Sequence, residues 1–280
     1  METSVAKQAY FFVYFCIMIT PPYLKNGDKI GIVAPATRVV SRSEMGYGID
    51  ILKQWGLQIE LGEYIFAEYN QFAGTDAQRT ADLQKMLDDP SIKAILCARG
   101  GYGTLRIIDQ LNFDKFMQHP KWVVGFSDVT ILHNHLHLLG LESIHGSMPL
   151  LFPRQTQATI DSLRGALFGQ QLNFELPAHP YNRLGTAKGA LIGGNLSLFV
   201  NSIGTPSQID TQGKILFLED VDEYLYHIDR LMIHLKRAGM LTGLAGLIVG
   251  QFTELMDDKV VPFGKDVNTI IAEMVSEYPY

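Results

Sequence analysis

A serine at the end of an apolar strand is the residue whose position points most directly to chemistry. The stretch VVGFSDVTILHNHL predicts a strand that runs through Gly125 and passes at Ser127 straight into a helix. A serine on such a turn exposes its hydroxyl at the carboxyl edge of the sheet, and the helix behind it offers N–H groups to a developing oxyanion. Because Ser-Asp before a helix is also an ordinary N-cap, the local pattern leaves two interpretations open, nucleophile or cap.

A glycine-rich turn follows another buried strand in the same half of the chain, in ARGGYGTLR. Such a turn brings bare N–H groups against a phosphate or an oxyanion, although it can also be a plain connection between strand and helix. Gly101 and Gly103 form G-x-G, but Arg106 occupies the third glycine position of a dinucleotide fingerprint, and no Gly-Lys-Ser/Thr follows. The pattern therefore disfavours a nucleotide-binding protein.

Acidic residues cluster where a third apolar run ends, in KILFLEDVDEYLYHIDRLMIHL. Glu219 directly ends the run, and Asp220, Asp222 and Glu223 follow closely. Ligands of α/β proteins bind at the carboxyl edge of the sheet, which makes Glu219 the first candidate for a functional acid and Glu223 the second. A solvated loop or a helix cap is the alternative interpretation.

Histidines and cysteines give weaker signals. His133 and His137 are four residues apart on one helix face, as two zinc ligands would be. The Glu of an HExxH zinc motif is absent between them and no Cys lies nearby, so no metal site is predicted. Cys97 ends a strand and is expected to be a small buried hydrophobe.

Composition narrows the class of protein. The chain has 280 residues, 47% of them hydrophobic and 19% charged, which is typical of a folded protein with a sizeable core. A net charge of −6 argues against nucleic acid or an anionic membrane as a partner. The apolar stretch 9–19 is too short to span a bilayer, so no stable membrane insertion is expected. Two cysteines favour a reducing, cytoplasmic location.

The order of predicted elements indicates two domains. Alternating strands and helices from residue 18 to 150 predict an N-terminal doubly wound parallel-sheet α/β domain that carries the serine. Residues 151–187 are polar and proline-containing, as expected of a linker region. Residues 188–280 predict a smaller β-rich α/β C-terminal domain, and residues 1–17 are expected to be an extension outside the fold.

Seven segments together resemble the LD-carboxypeptidase family of serine peptidases, which includes muramoyl-tetrapeptide carboxypeptidases and microcin C immunity proteins. They occur in order over most of the chain: GDKIGIVAPA, ARGGYGTLRIIDQLN, VVGFSDVTILHNHL, IHGSMP, GGNLSLFVNSIGTP, LFLEDVDEYLYHIDRLMIHLKRAG and GLIVGQF. Their joint occurrence is far more specific than any one motif, and it favours the nucleophile interpretation of the serine.

The resemblance implies a Ser-His-Glu triad in which Ser127 is the nucleophile and Glu219 orients the histidine. It also implies an oxyanion hole made by the backbone N–H groups of Gly101 and Asp128, a homodimer, and no metal or organic cofactor. The implied reaction removes terminal D-alanine from a murein tetrapeptide or related muropeptide in cytoplasmic peptidoglycan recycling. A microcin-immunity-type amide hydrolase is the family's other activity.

The sequence departs from the family at its C-terminal end. The family's histidine lies in a Gly-His motif after the helix and strand that VNTIIAEMVSEYPY resembles, and no histidine follows His234. We therefore expect that the chain is shortened before its catalytic histidine motif. The alternative is an inactive homologue that binds muropeptides without cutting them.

Overall fold

The computed structural model describes residues 18–280, and the expected extension at residues 1–17 lies outside the described residues. The first half of the chain forms a five-stranded parallel sheet with the strand order β2-β1-β3-β4-β5. Its strands are β1 (Lys29–Val33), β2 (Gln58–Leu61), β3 (Ile92–Cys97), β4 (Trp122–Gly125) and β5 (Ile144–His145). The central strand β3, with the mostly apolar sequence IKAILC, is buried at every position except Lys93.

Helices and short 3-10 turns cover this sheet on both faces, as the predicted doubly wound architecture requires. Four helices connect the strands: α1 (Arg42–Gln54), α2 (Asp76–Asp88), α3 (Asp114–Gln118) and α4 (Thr130–Leu138). Helix α2 begins in a capping box, in which Thr75 accepts from the amide of Gln78 while the Gln78 side chain accepts from the amide of Thr75. Separate apolar clusters fill the two faces of the sheet.

Part of the stretch predicted as a linker is helical. Helix α5 (Gln157–Leu167) lies within residues 151–187, and its Ile160, Leu163 and Leu167 are buried in one of the two N-terminal cores. Irregular structure follows this helix until the next strand begins at Leu191. The connection between the two halves is therefore shorter than the composition indicates.

The second half contains a three-stranded parallel sheet with the order β6-β7-β8. Its elements are β6 (Leu191–Asn195), α6 (Leu196–Asn201), β7 (Ile215–Val221), α7 (Leu225–Arg237), β8 (Gly246–Thr253) and α8 (Val267–Met274). A third apolar core packs between this sheet and its helices. The predicted α/β class is confirmed, whereas the strand expected to begin after α8 is a turn. Among residues 18–280, no helix is long and apolar enough to cross a bilayer.

Candidate active site

The serine of the GFSD segment lies on a strained turn at the carboxyl end of β4. Ser127 has φ of 60°, in the left-handed region that residues other than glycine rarely adopt. A 3-10 turn over Ser127–Val129 leads directly into α4. A Cβ atom added to Gly100 would lie 3.2 Å from the Ser127 hydroxyl oxygen, so the glycine-rich turn passes directly beside it. This geometry resembles that of a nucleophile elbow, a strained turn that presents a hydroxyl at the end of a strand.

The glycine-rich turn adopts a conformation that other residues would not tolerate. Gly101 has φ of 110°, and a Cβ atom there would collide with the hydroxyl oxygen of Thr37. Across residues 18–280, the Gly101 amide has no hydrogen-bond acceptor within the protein. An unpaired N–H group beside a half-buried serine that lines the same cavity suits an oxyanion hole.

The side chain of Asp128 connects the serine turn to the glycine-rich turn. Its carboxylate is fully buried and accepts from the amides of Gly103 at 3.3 Å and Thr104 at 2.8 Å. Burial raises the pKa of this carboxyl group, and the hydrogen bonds from Thr104 and Gly103 act in the opposite direction. The two turns that would hold a tetrahedral intermediate are therefore fixed relative to each other.

A buried guanidinium group holds the glycine-rich turn from its other side. Arg79 is 1% exposed and donates to the carbonyl oxygen of Gly103 at 2.8 Å and to that of Pro35. Asp76 pairs with Arg79 and also with the more exposed Arg106. The peptide at Gly103 is thus held through its N–H by Asp128 and through its carbonyl by Arg79.

The acid that ends the apolar run of β7 lies in the same cavity as the serine. Nine described residues line this cavity of about 390 Å³: Phe126, Ser127, His145, Phe217, Glu219, Asp220, Val221, Gln251 and Thr253. The Oε1 atom of Glu219 is buried, and no group within residues 18–280 bonds to it. Burial, with a smaller contribution from the neighbouring Asp220, raises the pKa of Glu219 to about 7.

The neighbouring acids are engaged elsewhere. Asp220 accepts from the Asn195 side-chain amide at 2.6 Å and from the hydroxyl of Ser197 at 2.9 Å. Glu223 accepts from the same hydroxyl at 2.9 Å and pairs with His227. Because Glu223 does not line the cavity, the geometry favours Glu219 over Glu223 as the functional acid.

A direct contact between the two halves of the chain brings serine and acid together. The hydroxyl of Thr130, at the start of α4, accepts from the backbone amide of Asn195 at 3.0 Å. Asn195 is paired with Glu219 across β6 and β7. The carboxyl edges of both sheets therefore meet at the cavity, where ligands of parallel α/β sheets bind.

Two histidines near the serine differ in their surroundings. Both ring nitrogens of His133 are hydrogen-bonded, Nδ1 to the Ser143 hydroxyl at 2.8 Å and Nε2 to the Gly125 carbonyl at 2.9 Å. Neither nitrogen is free to bind a metal together with His137. The ring of His145 instead faces the cavity, and sequence reasoning assigned it no role. Its signal was the IHGSMP segment, whose strand pairs His145 with Gly125 beside the serine turn.

Comparison with family models gives two matches that together cover most of the chain. Residues 30–146 match the LD-carboxypeptidase N-terminal domain, and residues 188–280 match the C-terminal domain. The chain belongs to the LD-carboxypeptidase family. This confirms the resemblance drawn from the motifs, and with it the class of enzyme, a serine carboxypeptidase.

Individual relatives agree with this assignment. The chain is 36% identical over 272 residues to a probable murein peptide carboxypeptidase of Bacillus subtilis, a match that covers 94% of this chain and 83% of that protein. The crystal structure of muramoyltetrapeptide carboxypeptidase from Oxalobacter formigenes superposes with a TM-score of 0.80 at 27% identity, covering 89% and 84% of the two chains. A structure of MccF with glutamyl sulfamoyl guanosine gives a TM-score of 0.81 at 20% identity, covering 93% and 87%, and shows the shared fold.

Proposed function

We propose that this LD-carboxypeptidase removes the terminal D-alanine from murein tetrapeptides during peptidoglycan recycling in the cytoplasm, as a homodimer. The observation that carries the proposal is the shared cavity of Ser127 and Glu219 at the meeting edges of two parallel sheets. The relatives that are named for murein peptides support the substrate class.

In the proposed reaction, the hydroxyl oxygen of Ser127 attacks the carbonyl carbon of the amide that joins an L-centre to the terminal D-alanine. Negative charge then develops on the former carbonyl oxygen, and the backbone amides of Gly101 and Asp128 donate to it. Collapse of the tetrahedral intermediate breaks the C–N bond, and the D-alanine nitrogen takes up a proton as it leaves. Water then attacks the acyl-serine ester, which regenerates the serine hydroxyl and releases the shortened peptide.

An imidazole must take the serine proton and return it to the leaving amine. Glu219 is suited to orient such a ring, because its Oε1 atom is buried and has no partner among the described residues. The family resemblance assigns that ring to a Gly-His segment, and no histidine of this sequence follows His234. The assay therefore compares this chain with an extended version, to which a Gly-His segment is added after Tyr280.

The test is release of D-alanine from L-Lys-D-Ala and meso-diaminopimelyl-D-Ala peptides. Turnover that disappears in Ser127→Ala supports the proposal, whether the chain of 280 residues or only the extended version is active. Binding of the peptides without turnover by either version would instead support an inactive muropeptide-binding homologue. Full turnover by the chain of 280 residues would show that the proton acceptor lies within it.

A further inference from the structure

A carboxypeptidase must recognise the free carboxylate at the end of its substrate, and the cavity shows which groups are available for this. No Arg or Lys is among its described lining residues, so the usual cationic partner of a carboxylate is missing there. The side-chain nitrogen donors that line it within residues 18–280 are the imidazole of His145 and the amide of Gln251.

His145 lines the cavity, and its ring contacts other aromatic rings rather than polar groups. The centroid of its ring lies 5.2 Å from that of Phe217 in the second sheet, with the two rings edge to face. The ring of Phe126 is tilted, and its centroid lies 5.8 Å away. Neither ring nitrogen has a hydrogen-bond partner among the described residues, in contrast to the doubly bonded His133 beside it. Aromatic contacts therefore fix the ring while both nitrogens stay available to a ligand.

The acids of the cavity do not prevent a carboxylate from entering. The Asp220 carboxylate is satisfied by Asn195, by Ser197 and by the amide of Val221 at 2.9 Å. Burial raises the pKa of Glu219 to about 7, so this carboxyl group carries at most part of its negative charge near neutral pH. An anion near the ring would favour the imidazolium form, because burial and the neighbouring His133 lower the pKa of His145 and an anion acts in the opposite direction.

We propose that His145 binds the terminal carboxylate of the substrate and so makes the enzyme selective for a free C-terminus. This inference rests on the proposed function and adds a specificity-determining residue to it. Arg99 is the cation next to the glycine-rich turn in sequence, but it donates to the carbonyl of Arg38 at 3.2 Å and does not line the cavity.

The test measures binding, so that it does not depend on turnover. The full chain with Ser127→Ala is titrated calorimetrically with L-Lys-D-Ala and with the same dipeptide ending in a carboxamide. We expect the free acid to bind about tenfold tighter than the carboxamide, since hydrogen bonds between charged groups are the stronger ones. Adding His145→Leu should reduce this preference to near one while the affinity for the carboxamide changes little.

Two further variants separate recognition from structure. His145→Gln keeps a side-chain N–H donor and should restore part of the preference for the free acid. His119→Leu, at an exposed position, is the control and should leave this preference unchanged. Thermal unfolding of each variant verifies its fold. An undiminished preference in His145→Leu, or an equal loss for both ligands, overturns the inference and leaves the proposed function standing. Failure of both ligands to bind the Ser127→Ala chain overturns both.

Discussion

The carboxylate of Asp128 accepts a hydrogen bond from the backbone amide of Thr104 at 2.8 Å, and this contact joins the nucleophile turn to the glycine-rich turn. The residue thus has two separate roles in the proposed site. Its backbone amide would donate to the oxyanion, and its side chain fixes the turn that presents the second amide, that of Gly101. A substitution can remove the side chain and leave the backbone amide in place.

Asp128→Ala is therefore expected to lower kcat more than it raises KM. Loss of the carboxylate leaves two buried amides without an acceptor, which costs about 1–3 kcal/mol for each amide in the free energy of unfolding. Displacement of an oxyanion donor typically lowers turnover by about 10²–10³-fold. Steady-state kinetics and thermal unfolding measure the two effects. Asp161→Ala, at an exposed position of α5, is the control and should change neither. A rise in KM alone would contradict the role assigned to the Asp128 side chain.

Replacing Ser127 tests the strain of its turn separately from its chemistry. Ser127→Ala and Ser127→Gly both remove the hydroxyl and should both abolish turnover. At φ of 60° the alanine Cβ atom stays strained, whereas glycine adopts this region freely. The glycine variant should therefore be more stable than the alanine variant by about 1 kcal/mol. Thermal unfolding decides the order, and an alanine variant that is the more stable one would argue against strain at this residue.

Several of these relationships follow from sequence, and others depend on contacts that no local pattern reveals. Ser127 and Glu219 are candidates because each ends an apolar strand, and strand ends of parallel sheets meet at one edge. For Ser127 the local pattern also fits a helix cap, and the family resemblance favours the nucleophile. The buried Arg79 could not be found from the local pattern, because within TDAQRTADLQKMLDD it looks like an ordinary surface residue of an amphipathic helix. Its carbonyl partners at Pro35 and Gly103 lie far away in the chain.

Residues 105–119 show the same limit of local patterns, because the apolar spacing of LRIIDQLNFDKFMQH predicts a stretch that is helical in large part. The structure places two 3-10 turns there, followed by the short helix α3 (Asp114–Gln118). The Asn112 side chain accepts from the amide of Asp114 at 2.8 Å and so favours a turn before this helix. Apolar spacing indicates a helix here, whereas the contact between Asn112 and Asp114 favours a turn.

Arg79 and Arg106 allow a matched comparison, because both pair with Asp76. The Arg79 side chain is fully buried, whereas that of Arg106 is 45% exposed. Arg79→Met should lower the free energy of unfolding by about 3–5 kcal/mol, since it leaves two buried carbonyl oxygens and part of the Asp76 carboxylate unpaired. Arg106→Met should cost less than about 1 kcal/mol, as exposed ion pairs do. Melting temperatures compare the two, with Arg79→Lys as a milder variant if Arg79→Met does not fold. Equal losses would show that Arg79 does not hold the turn.

Glu219→Gln should make the protein more stable and less active at the same time. Burial raises the pKa of Glu219 from 4.5 to about 7, so between these values the unfolded chain ionises while the folded chain stays protonated. The wild type therefore loses stability as the pH rises from about 4.5 to 7. Glutamine removes this loss, with a gain of at most about 3 kcal/mol above pH 7 and none below pH 4. Melting temperatures at pH 4, 6 and 8 measure this difference in stability.

The same substitution should lower turnover of the active form by up to about 10⁴-fold, because glutamine cannot stabilise an imidazolium. Glu223→Gln is the matched comparison, and a larger loss of activity there would make Glu223 the functional acid instead.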